Sequence, residues 1–178
     1  MRNRTKEKNE FYATPTEAVK LAIPLMNNSL KWWECCAGDG AISNNTSITA
    51  DIVVASDIDP KHEDIVVLNV LECDKPNNIN AIITNPPFTL GHDIIKRALF
   101  EWKIPILVLM RVEYMAGKNR LDIRKHLTKI HIVSDLIKFK TESNRIVNGN
   151  GTGRCAWFLF EPTITPISVD CKFVMYSD

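Results

Sequence analysis

Short apolar runs, rich in β-branched side chains, recur along the chain and are separated by polar or helix-like stretches. Because these runs do not alternate strictly between apolar and polar residues, they are typical of strands buried on both faces of a sheet. The pattern predicts seven strands, over residues 31–35, 52–55, 65–68, 81–84, 104–110, 130–137 and 155–160.

Helical spacing of apolar residues appears between these runs, over residues 16–26 and 93–102, and a third helix is expected to begin within 122–127. Strands that alternate with helices favour an α/β fold with a mostly parallel central sheet flanked by helices. Since 178 residues is the size of one domain, we expect residues 11–178 to form a single catalytic domain after a flexible basic arm over residues 1–10.

The composition is that of a soluble globular protein, with 45% hydrophobic and 24% charged residues. No apolar run approaches the ~20 residues needed to span a bilayer, and the first residues lack the apolar segment of a signal peptide, so we expect a cytoplasmic protein. The five cysteines and four histidines show no metal-ligand spacing, and we predict reduced, mostly buried thiols and no bound metal. We expect each histidine at the surface or at a helix end, and Trp32, Trp33 and Trp157 in the core.

Two stretches concentrate basic residues although the formal net charge is only +1. One is the arm over residues 1–10, and the other lies between residues 118 and 129. Either stretch can contact phosphates or simply form a solvated face. The candidate nucleic-acid contacts are Lys118, Arg120, Arg124 and Lys125. Residues 141–154, which contain three glycines, predict a flexible hairpin loop.

A glycine-bearing turn follows the first predicted strand directly. Gly38 and Gly40 remove side chains where a bound nucleoside would approach the backbone. About 20 residues later the second strand ends in Asp57, whose carboxylate can accept hydrogen bonds from both ribose hydroxyls. We expect Asp59, which precedes Pro60, to be a turn residue. These features fit nicotinamide cofactors and S-adenosylmethionine equally.

The segment Asn85-Pro86-Pro87-Phe88 separates these two cofactors. Prolines cannot continue the ladder of a central strand, so the Pro86 carbonyl is left unpaired beside the side-chain oxygen of Asn85. Two such acceptors can hold both hydrogens of an amino group while its nitrogen attacks a methyl sulfonium. Phe88 offers a flat apolar face on which a base can stack. The segment therefore predicts transfer of a methyl group to an exocyclic amine.

Four motifs in this order resemble the S-adenosylmethionine-dependent N6-adenine DNA methyltransferases, especially the small phage-type members. They are Phe-Tyr-Ala-Thr-Pro at 11–15, Glu-Cys-Cys-Ala-Gly-Asp-Gly-Ala-Ile at 34–42, Ser-Asp-Ile-Asp-Pro at 56–60 and Asn-Pro-Pro-Phe at 85–88. Residues 107–120 and 157–160 are similar to later segments of that family, so the resemblance covers most of the chain. The Asn-Pro-Pro-Phe motif is the most specific part, and guanine-N2 RNA methyltransferases and protein-glutamine methyltransferases have versions of it.

The resemblance implies a Rossmann-like class I methyltransferase fold with S-adenosylmethionine as cofactor. It assigns the acceptor amine to Asn85, Pro86, Pro87 and Phe88. Asn69 stands where the family often has an acid that contacts the adenine ring of the cofactor. The implied cofactor-binding residues are Tyr12, Thr14, Pro15, Glu34, Ala37, Gly38, Gly40, Asp57 and Asn69.

Two departures from the family pattern qualify this assignment. Residues 41–50 are poor in helix formers, so the helix after the glycine turn must be short. Only residues 171–178 follow the last sheet-like segment, where the family has a separate target-recognition domain. We therefore expect specificity to be weak, or to come from loops or a protein partner. The alternatives are methylation of RNA at guanine N2 or adenine N6, and a catalytically idle cofactor-binding subunit of a larger complex.

Overall fold

The computed structural model describes residues 11–45, 47–48, 51–134, 137–140, 146–147, 154–163 and 169–174. The proposed arm over residues 1–10 lies outside these ranges, as does most of the predicted loop over 141–154. No helix in the described ranges is long and apolar enough to cross a membrane.

Ten strands form in the described part of the chain, eight of them in one central sheet. The order across this sheet is β10-β6-β9-β5-β4-β1-β2-β3, and β7 and β8 form a separate antiparallel pair. Every neighbouring pair in the central sheet is parallel except those of β9, which runs antiparallel to both β5 and β6. The strands are β1 Lys31–Glu34, β2 Asp51–Asp57, β3 Val66–Val67, β4 Ala81–Thr84, β5 Ile106–Arg111, β6 Leu127–Val133, β7 Phe139–Lys140, β8 Ile146–Val147, β9 Cys155–Phe160 and β10 Asp170–Val174.

The middle strands β4, β5 and β9 are buried on both faces, as the apolar runs predict, whereas the edge strand β3 is exposed although the sequence predicts a buried strand there. Along β5, Ile106 and Val108 pack into one hydrophobic cluster, whereas Leu107 and Leu109 pack into the other. Because successive side chains of a strand point to opposite faces, a continuous apolar run supplies two cores at once. The three tryptophans predicted to be core residues, Trp32, Trp33 and Trp157, are fully buried.

The helices are shorter than the sequence pattern predicts. Residues 16–26 form helix α1, Thr16–Lys20, and a separate 3₁₀ turn, Ile23–Leu25, with Pro24 at its start. Helix α2, Gly91–Lys96, continues as a π-helical turn over Arg97–Glu101. Two 3₁₀ turns, Val112–Ala116 and Lys118–Arg120, lead from β5 into helix α3, Leu121–Arg124. Between the glycine turn and β2, the described residues form turns and no helix.

Three sequence predictions are wrong in detail. Residues 171–174, assigned to the tail beyond the sheet, belong to β10, which pairs in parallel with β6. The third helix ends at Arg124, and Leu127 already belongs to β6, which ends at Val133 rather than at residue 137. His126 and His131 are buried, with exposed fractions of 4% and 5%. Their Nδ1 atoms lie 3.0 Å from the Glu161 carbonyl and 3.4 Å from the Leu21 carbonyl, contacts between distant segments that the local sequence does not indicate.

Candidate active site

A cavity of about 340 Å³ lies where strands β1, β2 and β4 end. Strand β1 has β2 on one side and β4 on the other, so the chain connections diverge at this point of the sheet. In open α/β sheets this switch point is where ligands bind. The predicted site residues that line the cavity are Tyr12, Thr14, Glu34, Ala37, Gly38, Asp57, Asn69, Asn85 and Pro87.

The turn after β1 requires glycine at both predicted positions. Gly38 and Gly40 have φ angles of 56° and 78°, in the left-handed region that L side chains rarely adopt. A Cβ atom on Gly38 would lie 2.5 Å from the Phe11 ring, and one on Gly40 would lie 2.5 Å from the side chain of Asn44. The glycines therefore bring the 11–15 segment close to the turn and keep the cavity open.

Asp57 is the last residue of β2, as predicted, and both of its oxygens already accept hydrogen bonds. Oδ2 accepts from the Gly38 amide at 2.9 Å, and Oδ1 accepts from the Asp59 amide at 2.8 Å. Each carboxylate oxygen has a second lone pair, which leaves acceptor capacity for a hydroxyl group of a ligand. Asp57 thus braces the glycine turn while facing the cavity.

Glu34 ends β1 and is fully buried at the cavity wall. Its Oε2 accepts a hydrogen bond from the Ser43 amide at 2.7 Å. Burial raises the pKa of the carboxyl group to about 8, because desolvation outweighs the lowering effect of Ser43. A cationic group placed in the cavity would favour the ionised form of Glu34.

The hydrogen bonds of Asn85 fix the orientation of its side chain. Nδ2 donates to the carbonyl oxygen of Tyr12 at 3.2 Å and to Oγ1 of Thr14 at 3.0 Å. Because a carbonyl can only accept, the amide nitrogen must face the 11–15 segment and Oδ1 must face away from it. No described residue donates to Asn85 Oδ1 or to the Pro86 carbonyl, whereas the Pro87 carbonyl accepts from the amides of Leu90 and Gly91. The two acceptors that the sequence predicts are both open.

Phe88 does not line the cavity, and one face of its ring is covered. The Cζ atom of Arg111 lies 4.6 Å from the ring centroid, and the ring of Tyr12 lies 6.4 Å away at an interplanar angle of 36°. The sequence alone does not decide whether Arg111 pairs with Glu113 or belongs to the substrate side. In the described part of the chain Arg111 stacks on Phe88.

Four predicted site residues lie outside the cavity wall: Pro15, Gly40, Pro86 and Phe88. Pro15 is the N-cap residue of α1, and Gly40 contributes a positive φ angle to the turn after β1. Sequence reasoning missed lining residues that directly flank the predicted ones in the chain, so adjacency was the available signal. They are Phe11, Ala13, Asp39, Ala41, Ile58, Leu68 and Val70.

Cys35 and Cys36 also line the cavity, next to Glu34. Burial raises the pKa of the Cys35 thiol well above its usual range. A thiol that stays protonated is a poor nucleophile, so the geometry favours a packing role. All five cysteines are free, and no group of three or more His, Cys, Asp or Glu side chains within the described ranges could hold a metal ion.

The cavity wall is also tied to the helix that follows the Asn-Pro-Pro-Phe segment. Arg97, in the π-helical turn, donates to the carbonyls of Val70 at 2.8 Å and Cys73 at 3.0 Å. Its guanidinium also stacks on Trp102 at 4.6 Å. The segment that contains Asn69 is therefore anchored to the extension of α2.

Two of the four candidate nucleic-acid contacts lie in a 3₁₀ turn after β5, and a third, Arg124, ends helix α3. Lys118 is exposed, Arg120 stacks on the Tyr114 ring at 4.6 Å, and Arg124 donates to the Gly117 carbonyl at 2.8 Å. Lys125, just after α3, is exposed. All four residues lie in the segment between β5 and β6, so a single stretch of backbone presents them together.

The sequence matches no protein-family model, and no curated protein matches it at a significant level. Solved structures do match. A protein of Listeria monocytogenes, described as a class I S-adenosylmethionine-dependent methyltransferase, superposes with a TM-score of 0.56 at 10% identity over 93% of this chain and 66% of its own. The chain has the Rossmann-like class I methyltransferase fold.

Two further neighbours share this fold. The M protein of the type I restriction enzyme EcoKI superposes with a TM-score of 0.52 at 13% identity, over 88% of this chain and 44% of its own. The tRNA (m1A58) methyltransferase of Aquifex aeolicus gives 0.50 at 14% identity, over 89% of this chain and 72% of its own. The chain thus spans less than two thirds of the Listeria and EcoKI proteins. At identities this low, the structural similarity establishes the fold only. The substrate and the activity have to be inferred from the residues of the site.

Proposed function

We propose that this protein is an S-adenosylmethionine-dependent methyltransferase that modifies the exocyclic N6 amine of adenine in DNA. The observation that carries the proposal is the fixed side chain of Asn85, which lines the cavity with its Oδ1 unpaired beside the unpaired carbonyl of the neighbouring Pro86. An amino group needs two acceptors in this arrangement for its two hydrogens.

The residues of the cavity fit the parts of the cofactor. Asp57 has acceptor capacity for ribose hydroxyls, and Asn69, which lines the same cavity, is assigned to the adenine ring by the family resemblance. Glu34, with its raised pKa, gains a cationic partner in the methionine end of the cofactor. Tyr12 and Thr14 also line the cavity, and the family resemblance assigns them to the same end. When bound, S-adenosylmethionine would supply a methyl group on a positively charged sulfur.

The chain contributes alignment rather than covalent chemistry. Asn85 Oδ1 and the Pro86 carbonyl hold the amine hydrogens, so that the nitrogen lone pair is directed at the methyl group. The nitrogen–carbon bond forms as the carbon–sulfur bond breaks, and the methylated amine then loses one proton to solvent. An adenine in duplex DNA has to leave the base stack to reach this position.

Methylation of RNA, at guanine N2 or adenine N6, uses the same two acceptors and is the alternative acceptor class. A catalytically idle subunit that supports a larger partner is the alternative of a different kind. The open acceptors of the Asn85 segment favour an active site, because an idle subunit has no need to leave them unpaired. A protein partner that supplies target specificity is compatible with either alternative.

Methyl transfer from radiolabelled S-adenosylmethionine to DNA, RNA and protein tests the proposal. We expect label in DNA, at N6 of adenine after digestion to nucleosides. Label in RNA alone would identify the alternative substrate. Cofactor binding without label in any acceptor would contradict an enzymatic role and support the idle subunit.

A further inference from the structure

Arg111 is the last residue of β5, the strand beside β4, which leads into the Asn-Pro-Pro-Phe segment. Its guanidinium lies over the Phe88 ring, with Cζ 4.6 Å from the centroid. The Nε atom is buried and has no hydrogen-bond partner. No described residue accepts a hydrogen bond from any nitrogen of this side chain.

An unpaired buried donor costs about 1–3 kcal/mol, so native proteins rarely keep one without a reason. The guanidinium lies over the Phe88 ring, and its five donors all lie in one plane. Arg111 is therefore a rigid, unoccupied set of donors immediately beside the residues that hold the acceptor amine. A ligand with paired anionic oxygens would complete it.

We infer that Arg111 binds the phosphate of the nucleotide that presents the acceptor amine. The inference rests on the proposed function and adds the nucleotide's own phosphate as a recognised group. A phosphate offers two oxygens to the planar fork of an arginine, and it accompanies every nucleotide whatever its base. Arg111 thus contributes to the position of the target nucleotide without reading its sequence.

The same arrangement recurs farther along the segment after β5. Arg120 stacks on Tyr114 at 4.6 Å, and the Nε atoms of both Arg120 and Arg124 are buried without a partner. Three arginines with an unpaired Nε therefore occur in the chain between the end of β5 and the end of α3. Arg111 is the member of this series that contacts the Asn-Pro-Pro-Phe segment.

A single neutralised phosphate provides the test. The substrate is a short oligonucleotide with one adenine, prepared with a methylphosphonate at the phosphate on its 5′ side, on its 3′ side, or at neither. Wild type, Arg111→Met and Arg111→Lys are compared by kcat/KM for methyl transfer. Lys20→Met, which removes an exposed charge at the end of α1, is the matched control.

On the unmodified oligonucleotide we expect Arg111→Met to lower kcat/KM by roughly 10- to 100-fold, the range for losing a charge-assisted hydrogen bond. Arg111→Lys should lose less because it keeps the charge without the fork, and Lys20→Met should match wild type. One of the two methylphosphonates should reduce the wild-type value by a similar factor and cause no further loss in Arg111→Met. Melting temperature and cofactor affinity should be unchanged, which separates recognition from folding.

Equal further losses with both methylphosphonates in Arg111→Met, or an unaltered kcat/KM in that variant, would overturn the inference while leaving the proposed function intact. If Arg111→Met does not fold, the same comparison is made with Arg111→Lys. If the losses in kcat/KM from Arg111→Lys and from each methylphosphonate are fully additive, the inference is likewise overturned. A wild-type protein that binds cofactor and methylates no oligonucleotide would instead refute the proposed function, and the inference with it.

Discussion

The two sides of the cavity differ in how far their polar groups are already paired. On the side of β1 and β2, Asp57, Glu34 and Asn69 each accept hydrogen bonds from backbone amides of the turns around them. On the side of β4 and β5, Asn85 Oδ1 at the cavity wall, and the Pro86 carbonyl and the Arg111 guanidinium outside it, have no hydrogen-bond partner among the described residues. The first side is preformed by the fold, whereas the second side is completed only by a substrate.

The largest effect is expected from Asn85→Ala, which removes an acceptor on the open side and leaves the paired side intact. We expect methyl transfer to fall on the order of 100-fold or more, since one preorganised partner of the reacting group is lost. Cofactor affinity, measured by calorimetry, should stay near the wild-type value. An unchanged rate per folded molecule would show that Asn85 only ties β4 to the 11–15 segment.

Thr14→Val is the control for that structural role, because it removes one of the two acceptors of Asn85 Nδ2 and keeps Oδ1. We expect a much smaller rate loss than in Asn85→Ala, with a comparable change in melting temperature. Asn85→Asp should be a poor rescue, since a carboxylate would face the Tyr12 carbonyl with an acceptor in place of a donor.

On the paired side, Asp57→Ala should weaken S-adenosylmethionine and its demethylated product alike, by roughly 10-fold or more, because both share the ribose. The substitution also frees the Gly38 amide, so the melting temperature should fall. Calorimetry with both ligands checks the prediction. Retained affinity would mean that Asp57 serves only the turn.

Glu34 makes the stability of the free protein depend on pH. Its pKa is raised from 4.5 to about 8 in the folded state, so the unfolded chain releases this proton first. The stabilisation of the protonated form is complete below pH 4.5 and is lost as the pH rises to 8, by at most about 1.4 kcal/mol per pH unit. Denaturation of wild type and Glu34→Gln from pH 5 to 9 should show a smaller loss in the variant. Parallel curves would refute the role of Glu34.

The smallest effect per residue is expected from the basic residues of the segment between β5 and β6. Neutralising Lys118, Arg124 and Lys125 together should weaken nucleic-acid binding a few-fold per charge, by similar factors for unrelated sequences. The slope of log affinity against log salt concentration should become shallower by about one unit for each phosphate that the variant no longer neutralises. Binding titrations at several salt concentrations measure both quantities. Weakening confined to one sequence would indicate base reading instead.

The fold and the paired side could be predicted from the sequence because their signals are local. Apolar runs identify buried strands, and glycines at positive φ mark the turn beside Asp57. The open side depended on distant contacts: Asn85 is oriented by Tyr12 and Thr14, some 70 residues away in the chain, and Phe88 is covered by Arg111 from another strand. Burial of His126 and His131 and the pairing of β10 were missed for the same reason. No local pattern encodes a partner that lies across the sheet.

The bridge from Arg97 to the Val70 and Cys73 carbonyls has a mechanical consequence. At the start of helix α2, two backbone amides donate hydrogen bonds to the Pro87 carbonyl. The helix continues into the turn that carries Arg97, which donates to the Val70 and Cys73 carbonyls. One continuous helical segment therefore connects the Asn-Pro-Pro-Phe segment to the part of the cavity wall that contains Asn69. Lengthening or shortening residues 69–73 would break this linkage at one end and shift the segment at the other. Engineers who wish to alter the preference for cofactor analogues should therefore vary side chains in this segment and keep its length and Arg97 fixed.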